Sequence, residues 1–399
     1  MLLLEDMGLL SVYDPVNQHL PWFKASYNGM QVPNLAIYHL LQNASGITND
    51  ERLFPMAAAT ETRSEFISRL SLGFELEFYP SARHGYANMN YILLGLIIEA
   101  VSGQSYDEFM TEQVLHPLGL YNTFTDMQRA NETGRVIGGN RLRFLQPVSW
   151  NPPIHPTSVP TGWIYSDITD MARWAGIHLG IVDISEQFER VVQMSHQSRG
   201  TVDFFAFGNY FYTAGWNVAY ETERVRHNGS TPGYSASLRI YPHNDMAVVV
   251  LGNLAHGVVP FGAFITGVIE GDFSNIGMEF FTIVDIVLTV VALSGIIYIS
   301  LLIRLVVKLI KKVRSREVIK GSFTSKNIKW IFDPIFNIVG LIAMYVGPTI
   351  VANMSFEFVV MYFPASFAFA LIASWIGVLY SICILFAKIF GVVVVNSKK

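Results

Sequence analysis

Tyr86 and Asn88, separated by Ala87 and lying just ahead of an apolar helix, put a phenol and a carboxamide side by side at a helix start, where both can face a cleft. A tyrosine serves as a general base when a nearby cation lowers its pKa. A second candidate is the run Arg226-His227-Asn228-Gly229-Ser230-Thr231-Pro232-Gly233-Tyr234-Ser235. There His227 falls at the end of a strand, where a donor can orient a carboxylate or carbonyl, and Gly229 lets a backbone approach a ligand closely. Taken singly, a tyrosine ahead of a helix is more often packing, and a histidine at a strand edge is more often structural. His84, two residues from Tyr86, reads as packing or loop. The 10 histidines show no paired spacing with Cys, Asp or Glu that suggests zinc, so no metal and no cofactor is expected.

The elements that must position these residues can be read in order. Leu93, Leu94, Ile97, Ile98 and Val101 recur at helical spacing from Asn90, and Gly103 is a natural stop. Ser105 with Glu108 makes a capping box for a second helix that Pro117 ends. Upstream, Leu35–Leu41 reads as a short helix, 48–61 as a surface loop and 62–72 as another short helix. Residues 121–160, rich in Gly, Pro and Asn, read mostly as loop. Asp167–Leu179 reads as an amphipathic helix capped by Ser166. Beyond residue 210 the period changes: Ala214–Tyr220, Val225–Asn228, Ala236–Tyr241 and Met246–Gly252 are short strand-forming runs, with turns at 221–223 and 242–245. Consecutive short strands with tight turns imply an antiparallel sheet, so the front of the chain, 1–275, is an α+β domain. Val258–Ile269 then reads as a helix packed on that sheet.

Charge separates this front from the rear. Residues 1–279 carry a formal −12 and residues 280–399 a formal +8, which together make the −4 of the chain. The rear, 280–399, holds three apolar segments near 280–303, 330–351 and 364–387, each meeting the roughly 20 residues a bilayer crossing needs. Between the first two lie Arg304, Lys308, Lys311, Lys312, Arg314, Arg316, Lys320, Lys326 and Lys329 against one acid, Glu317. The positive-inside rule assigns this loop to the cytoplasm, in preference to a nucleic-acid patch. Three crossings then give a multi-pass protein of the cell membrane, with the acidic domain outside and the C-terminus in the cytoplasm. Asp285 is expected at the outer interface. The chain has 1 cysteine, Cys383, so no intrachain disulfide exists. Met1-Leu2-Leu3-Leu4-Glu5-Asp6 has no basic region and does not read as a signal peptide.

Tyr86-Ala87-Asn88, followed by Asn90-Tyr91 and the Leu93-Leu94-Gly95 helix, resembles the Tyr-x-Asn motif of the serine β-lactamase-like hydrolases. That family includes class C β-lactamases, low-molecular-weight penicillin-binding carboxypeptidases and related esterases. The likeness extends, in the family's order, to Asp14-Pro15-Val16, His39-Leu40-Leu41 with Ser45-Gly46, Pro117-Leu118-Gly119-Leu120 and Gly162-Trp163-Ile164-Tyr165-Ser166. His227-x-Gly229 with Pro232-Gly233-Tyr234-Ser235 is similar to the third motif in its His-x-Gly form. The resemblance implies a β-lactamase/transpeptidase-like fold and acyl transfer through a serine acyl-enzyme, on cell-wall peptide, lactam or another small acyl substrate such as an ester. Tyr86 would be general base and acid, and Asn88 would hold the substrate amide. His227 and Gly229 would line the opposite wall, and the backbone near Ser235 would complete an oxyanion hole.

One departure is decisive. The family's nucleophile lies in a Ser-x-x-Lys motif upstream of Asp-Pro-Val, and that motif occurs nowhere in the 399 residues. Met1–Gly8 resembles the tail of the helix it should begin. Either the sequence is shortened at its amino end, or it is a paralogue that keeps a cleft and cannot acylate. The corresponding functions are a membrane-anchored hydrolase that is inactive in this form, or a membrane-bound protein that recognises cell-wall peptide without cleaving it. The three apolar segments also leave open a transport or sensing role for the rear.

Overall fold

In the computed structural model, residues 1–48, 62–150, 156–198, 205–207, 210–255, 267–269, 280–314, 335, 337–346 and 364–389 are described. The chain divides into two compact units, one of Met1–Asn140 with Ser149–Gly277, the other of Arg141–Val148 with Met278–Lys399.

The first unit begins with helices α1 (Leu2–Asp6) and α2 (Val16–His19), strands β1 (Ala25–Tyr27) and β2 (Met30–Gln31), and helices α3 (Ile37–Leu41) and α4 (Arg63–Leu70). Strand β3 (Phe74–Glu75) pairs parallel to β1, which also pairs antiparallel to β2, making a small three-stranded sheet. Helix α5 (Asn88–Ser102) is the long central element, with Ile92, Leu93 and Ile97 completely buried. It stops where expected, at Gly103 in the left-handed conformation (φ 72°). Gly95 lets it lie against Pro160: a Cβ there would come within 2.4 Å of the proline ring. Helix α6 (Tyr106–Phe109) carries the predicted Ser105–Glu108 capping box and runs on as a wide turn to Leu115.

The segment 121–160 is more ordered than its composition suggests. It holds α7 (Met127–Glu132), strands β4 (Asn140–Arg143) and β5 (Gln146–Ser149), and a 3-10 turn at Pro156–Thr161. Helix α8 (Ile168–His178) is capped by Asp167, whose side chain accepts from the Asp170 N–H, rather than by Ser166. Helix α9 (Glu186–Ser195), not anticipated, packs on α1.

The main sheet follows: β6 (Phe205–Phe207), β7 (Tyr210–Thr213), β8 (Trp216–Ala219), β9 (Val225–Thr231), β10 (Tyr234–Tyr241) and β11 (Met246–Gly252), antiparallel throughout in the order β11-β10-β9-β8-β7-β6. One face packs on α8 through Trp216, Val218, Val225, Leu238, Ile240 and Ala175. The strands extend past the expected bounds Val225–Asn228 and Ala236–Tyr241, to Thr231 and back to Tyr234, with a tight turn at Pro232-Gly233. Gly233 is required there: its φ is 95°, and a Cβ would meet the Trp150 carbonyl at 2.7 Å. The expected loop at 48–61 and helix at 258–269 fall mostly outside the described residues.

In the second unit two helices are long and apolar enough to cross a membrane, Ile283–Lys308 and Ser366–Ile384. Between them in sequence, Asn337–Val346 is a shorter apolar helix, and the rest of the expected 330–351 segment lies outside the described residues. Among the described residues, then, two helices long and apolar enough to cross a membrane are found where three were expected. Leu288, Leu341, Phe367, Ala370, Leu371 and Val378 bring all three segments into one apolar core. Asn337 bridges the two long helices, donating to Ser381 Oγ at 3.1 Å and accepting from the Tyr298 hydroxyl at 3.5 Å.

Arg141–Val148 forms the turn of the β4–β5 hairpin, with Phe144 (φ 52°) and Leu145 (φ 61°) consecutively left-handed, as a two-residue hairpin turn of inverted type requires. Neither is glycine, so the tip must be held from outside. The Leu145 N–H donates to the Asp285 carboxylate at 2.7 Å, and the Ser366 hydroxyl donates to the same carboxylate. The Phe144 ring lies 5.1 Å from that of Phe369, and the Ala365 N–H donates to the Leu142 carbonyl at 2.8 Å. Asp285 is thus fully buried as the post that holds this hairpin. Asp285→Ala orphans a backbone N–H and a hydroxyl, at roughly 1–3 kcal/mol each. The expected result is limited proteolysis within residues 141–148 that the unsubstituted protein resists; an unchanged cleavage pattern contradicts this role.

Candidate active site

The start of α5 is fixed by a knot of buried amides. Asn90 is completely buried; its Nδ2 donates to Asn43 Oδ1 at 2.7 Å, and its Oδ1 accepts from the Ser45 hydroxyl at 2.7 Å. Asn43 Oδ1 also accepts from the Ala87 N–H at 3.1 Å, and the Asn43 carbonyl accepts from the Gly85 N–H at 2.8 Å. Residues 43–45, just after α3, therefore clamp both ends of the 85–90 segment. Tyr86 and Asn88 project from that clamp, Tyr86 45% exposed and Asn88 half-buried as the first residue of α5. The Ser45 of the sequence motif is thus a positioning group for the start of α5.

Across from Tyr86 stands the far part of β9. β8 pairs with β9 through Asn217↔Arg226 and Val218↔Val225, and these pairs stop before His227. His227 stands opposite Leu238 in the β9–β10 ladder and is not part of the apolar core under the sheet. Its ring lies 6.5 Å from that of Tyr86. Gly229 follows on the same face, where a Cβ would make only an ordinary 3.5 Å contact with Ala236, so the space above it is not filled by packing. Ser235 differs: it is buried inside the sheet, in register with Ser230 on one side and Gly252 on the other, and its hydroxyl donates to the Leu254 carbonyl at 2.6 Å. The structure brings the rings of Tyr86 and His227 together, with Gly229 two residues further along β9 and Ser235 on the neighbouring strand.

Tyr212, on β7, stands between the two walls and is invisible as a site residue in the sequence. Its ring meets Tyr86 edge-on at 5.9 Å, His227 edge-on at 5.9 Å and His84 at 5.5 Å. Its hydroxyl lies 3.3 Å from His227 Nε2. The only signal was its place in the Tyr210-Phe211-Tyr212 run, which reads equally well as a plain strand. Tyr91, one turn into α5, donates to the Leu41 carbonyl at 3.1 Å and backs this cluster.

Electrostatically the cluster is neutral. Burial pushes the Tyr86 phenol up, partly offset by its hydrogen bond with Tyr212. Burial holds His227 below the usual histidine value, partly offset by a bond to the Asn228 backbone, and burial also lowers His84. Where general-base work calls for a lowered tyrosine pKa, Tyr86 at neutral pH is a protonated donor. Among the described residues no group of three or more His, Cys, Asp or Glu could hold a metal. A separate cavity of about 370 Å³, lined by Ile92, Leu96, Glu99, Trp163 and Tyr165 among others, includes none of Tyr86, Asn88 and His227.

Comparison with known proteins bears on the family and the fold. Protein flp of Staphylococcus aureus strain MRSA252 is 30% identical over 253 residues, covering 63% of this chain and 50% of that protein. A putative D-alanyl-D-alanine carboxypeptidase of Salmonella enteritidis PT4 is 22% identical, covering 63% and 65%. The chain thus spans about half the length of the first of these relatives. Among solved structures, the octameric penicillin-binding protein homologue of Pyrococcus abyssi aligns with a TM-score of 0.56 at 23% identity, over 68% of this chain and 62% of that one. A class C beta-lactamase aligns at 0.55 and 15% identity, over 70% and 79%, which bears on the fold alone. The model of the beta-lactamase family matches residues 1–263, and the chain belongs to that family.

Proposed function

We propose that residues 1–263 form the substrate side of an acyl-transfer site acting on a peptide-like, lactam or ester carbonyl, as in cell-wall peptide. The observation that carries this reading is the meeting of Tyr86 and His227, 141 residues apart in the chain, with ring centroids 6.5 Å apart. Tyr86 exchanges the proton of the attacking and leaving groups, Asn88 holds the substrate amide, and His227 with Gly229 forms the facing wall. A protonated Tyr86 is ready as the acid. Its base role needs a cation to lower it, which the lysine of a Ser-x-x-Lys motif would supply. These 399 residues contain no such motif, so this chain does not form an acyl-enzyme unless the serine comes from elsewhere. The same absence favours a second reading, a membrane-bound protein that recognises cell-wall peptide without cleaving it.

We also propose that the second unit anchors the protein in the cell membrane, in contact with the lipid bilayer, with residues 1–277 outside. The support is the pair of apolar helices and the basic residues Arg304, Lys308, Lys311, Lys312 and Arg314 closing the first of them.

The test is covalent labelling of the 399-residue chain in membranes with fluorescent penicillin and with a fluorophosphonate. No label is expected. Stable label that Tyr86→Phe slows would place a nucleophile within these residues and refute its absence. Binding of a D-Ala-D-Ala peptide without label, lost in Asn88→Ala, selects the recognition reading.

A further inference from the structure

The cavity of about 370 Å³ in the first unit is lined by Ile92, Gly95, Leu96 and Glu99, which share one face of α5. Asn88 stands one turn ahead of Ile92 on that helix, and the ring of Tyr165, another lining residue, lies 6.3 Å from that of Tyr234 at the start of β10. The lining is thus tied to both elements of the candidate site, to α5 directly and to the β9–β10 hairpin through Tyr234. Three of its donors are unspent. The hydroxyls of Tyr106 and Tyr165 have no hydrogen-bond partner among the described residues, although their backbone N–H groups bond to Glu99 Oε1 at 3.0 Å and to the Phe124 carbonyl at 2.8 Å. Trp163 is 7% exposed, and its indole N–H has no partner among those residues either. Burial pushes both phenols up, Tyr165 to about 12, so both remain protonated donors. Donors withdrawn from water in this way favour a ligand that accepts from them.

The charges of the lining narrow the choice. Arg63 is neutralised by Glu99, with Nη1 donating to Oε1 at 3.2 Å. Asp107 accepts from the Thr125 hydroxyl at 2.6 Å and from Arg129 Nη1 at 2.8 Å. Asp126 spends Oδ1 on the Arg129 backbone N–H at 2.8 Å and has no ion-pair partner among the described residues. The balance is negative, so an anion is repelled. A cation is attracted, but an ammonium has only donors and leaves the indole N–H, itself only a donor, unmet. A hydrocarbon chain leaves all three donors unmet. A neutral ligand answers every group when it brings acceptors for the indole and phenols, a hydroxyl for Asp126 and an apolar face for the rings. We propose that this cavity binds an N-acetylated sugar: the acetamido carbonyl serves the indole N–H, its methyl the Ile92 and Leu96 stripe, and the ring hydroxyls the phenols and Asp126. The volume sits at the small end of the roughly 300–1,000 Å³ of ligand sites. Only the source of the sugar, the glycan of a cell wall, rests on the function proposed above; the chemistry of the cavity stands without it.

The experiment is NMR of the full chain in lipid nanodiscs, with ¹⁵N-labelled tryptophan and the Trp163 indole signal assigned by Trp163→Phe. Titration with N,N′-diacetylchitobiose is expected to move that signal to saturation. Tyr106→Phe and Tyr165→Phe, which keep the rings and remove only a hydroxyl, should each weaken binding roughly 3–10-fold. Maltose, which has pyranose rings and hydroxyls but no acetamido group, should bind more weakly by at least that margin. A Trp163 signal that diacetylchitobiose leaves in place overturns the inference without any variant. So do equal binding of maltose, a signal that answers to inorganic phosphate or to lysine instead, and hydroxyl-deleted variants that bind like the parent. Absence of both penicillin labelling and D-Ala-D-Ala peptide binding, with diacetylchitobiose still bound, removes the proposed function and keeps the sugar site, so the two readings fail separately.

Discussion

Between pH 6.5 and pH 4 the first unit is expected to lose most of its stability, because three histidines are buried in neutral form. Burial lowers His39 to about 4 and His196 to about 4. It lowers His178 to about 3, with the neighbouring His196 adding to the shift. The geometry explains why none accepts a proton readily. His39 Nδ1 accepts the Ala36 N–H at 2.9 Å at the start of α3, a bond that a protonated ring cannot make. His178 Nδ1 and His196 Nε2 share one hydrogen bond at 2.9 Å, and two imidazoliums there would repel. In the unfolded chain all three titrate near the ordinary value of about 6.5, so as pH falls the unfolded state binds protons that the folded state refuses. The stability is complete above that value and drains as pH falls toward the folded pKa values, by about 1.4 kcal/mol per pH unit for each group. At pH 5 the three together approach the 5–15 kcal/mol of a typical domain. Trp174 and Trp216 pack on His178 with ring separations of 4.4 and 4.9 Å, so tryptophan fluorescence reports the event directly. Urea midpoints at pH 7 and pH 5 should differ strongly, and His196→Gln should narrow the difference. Equal midpoints at the two pH values would sink the proposal that these rings are held neutral.

Gly46→Ala should be the most damaging single-methyl change in the part of the fold that presents Tyr86. Gly46 has φ 83°, and a Cβ there would fall 2.1 Å from the Phe78 carbonyl oxygen, a backbone atom that cannot swing aside. Its own carbonyl accepts from the Glu77 N–H at 2.9 Å, and Ala44 likewise receives Ser81. The methyl would therefore push the 77–85 strand of chain away from residues 43–46, loosening the Asn43–Asn90 knot that aims Tyr86 and Asn88. A left-handed alanine costs about 1–2 kcal/mol and the forced shift about 1–3 more, so a loss of roughly 2–5 kcal/mol is expected. Gly29→Ala separates the two causes: its φ is 76°, but nothing lies within 4 Å of its Cβ, so it should lose only the conformational part. If denaturation midpoints show Gly46→Ala no worse than Gly29→Ala, the close approach is not what Gly46 serves.

Several features were legible in the chain because they depend on neighbours in sequence. The apolar spacing of Leu93, Leu94, Ile97 and Ile98 and the stop at Gly103 gave α5, and the Ser105–Glu108 pair gave the cap of α6. The strand runs around 225–252 gave the antiparallel sheet, since alternation and tight turns are local signals. Local signals also misled. Gly, Pro and Asn in 121–160 suggested loop, yet Phe144 and Leu145 form a hairpin turn whose left-handed backbone is held by Asp285, far along the chain. Ser166 looked like a cap, while the adjacent Asp167 makes the bond.

The order of motifs along the chain determined the family, because it is a property of residue order and type alone. Only the tertiary structure decided that Tyr212 joins Tyr86 to His227, that Ser235 stands on the strand next to β9, and that the Tyr86 phenol is pushed up by desolvation. Those depend on which distant side chains displace water from one another, and no spacing in the sequence specifies that.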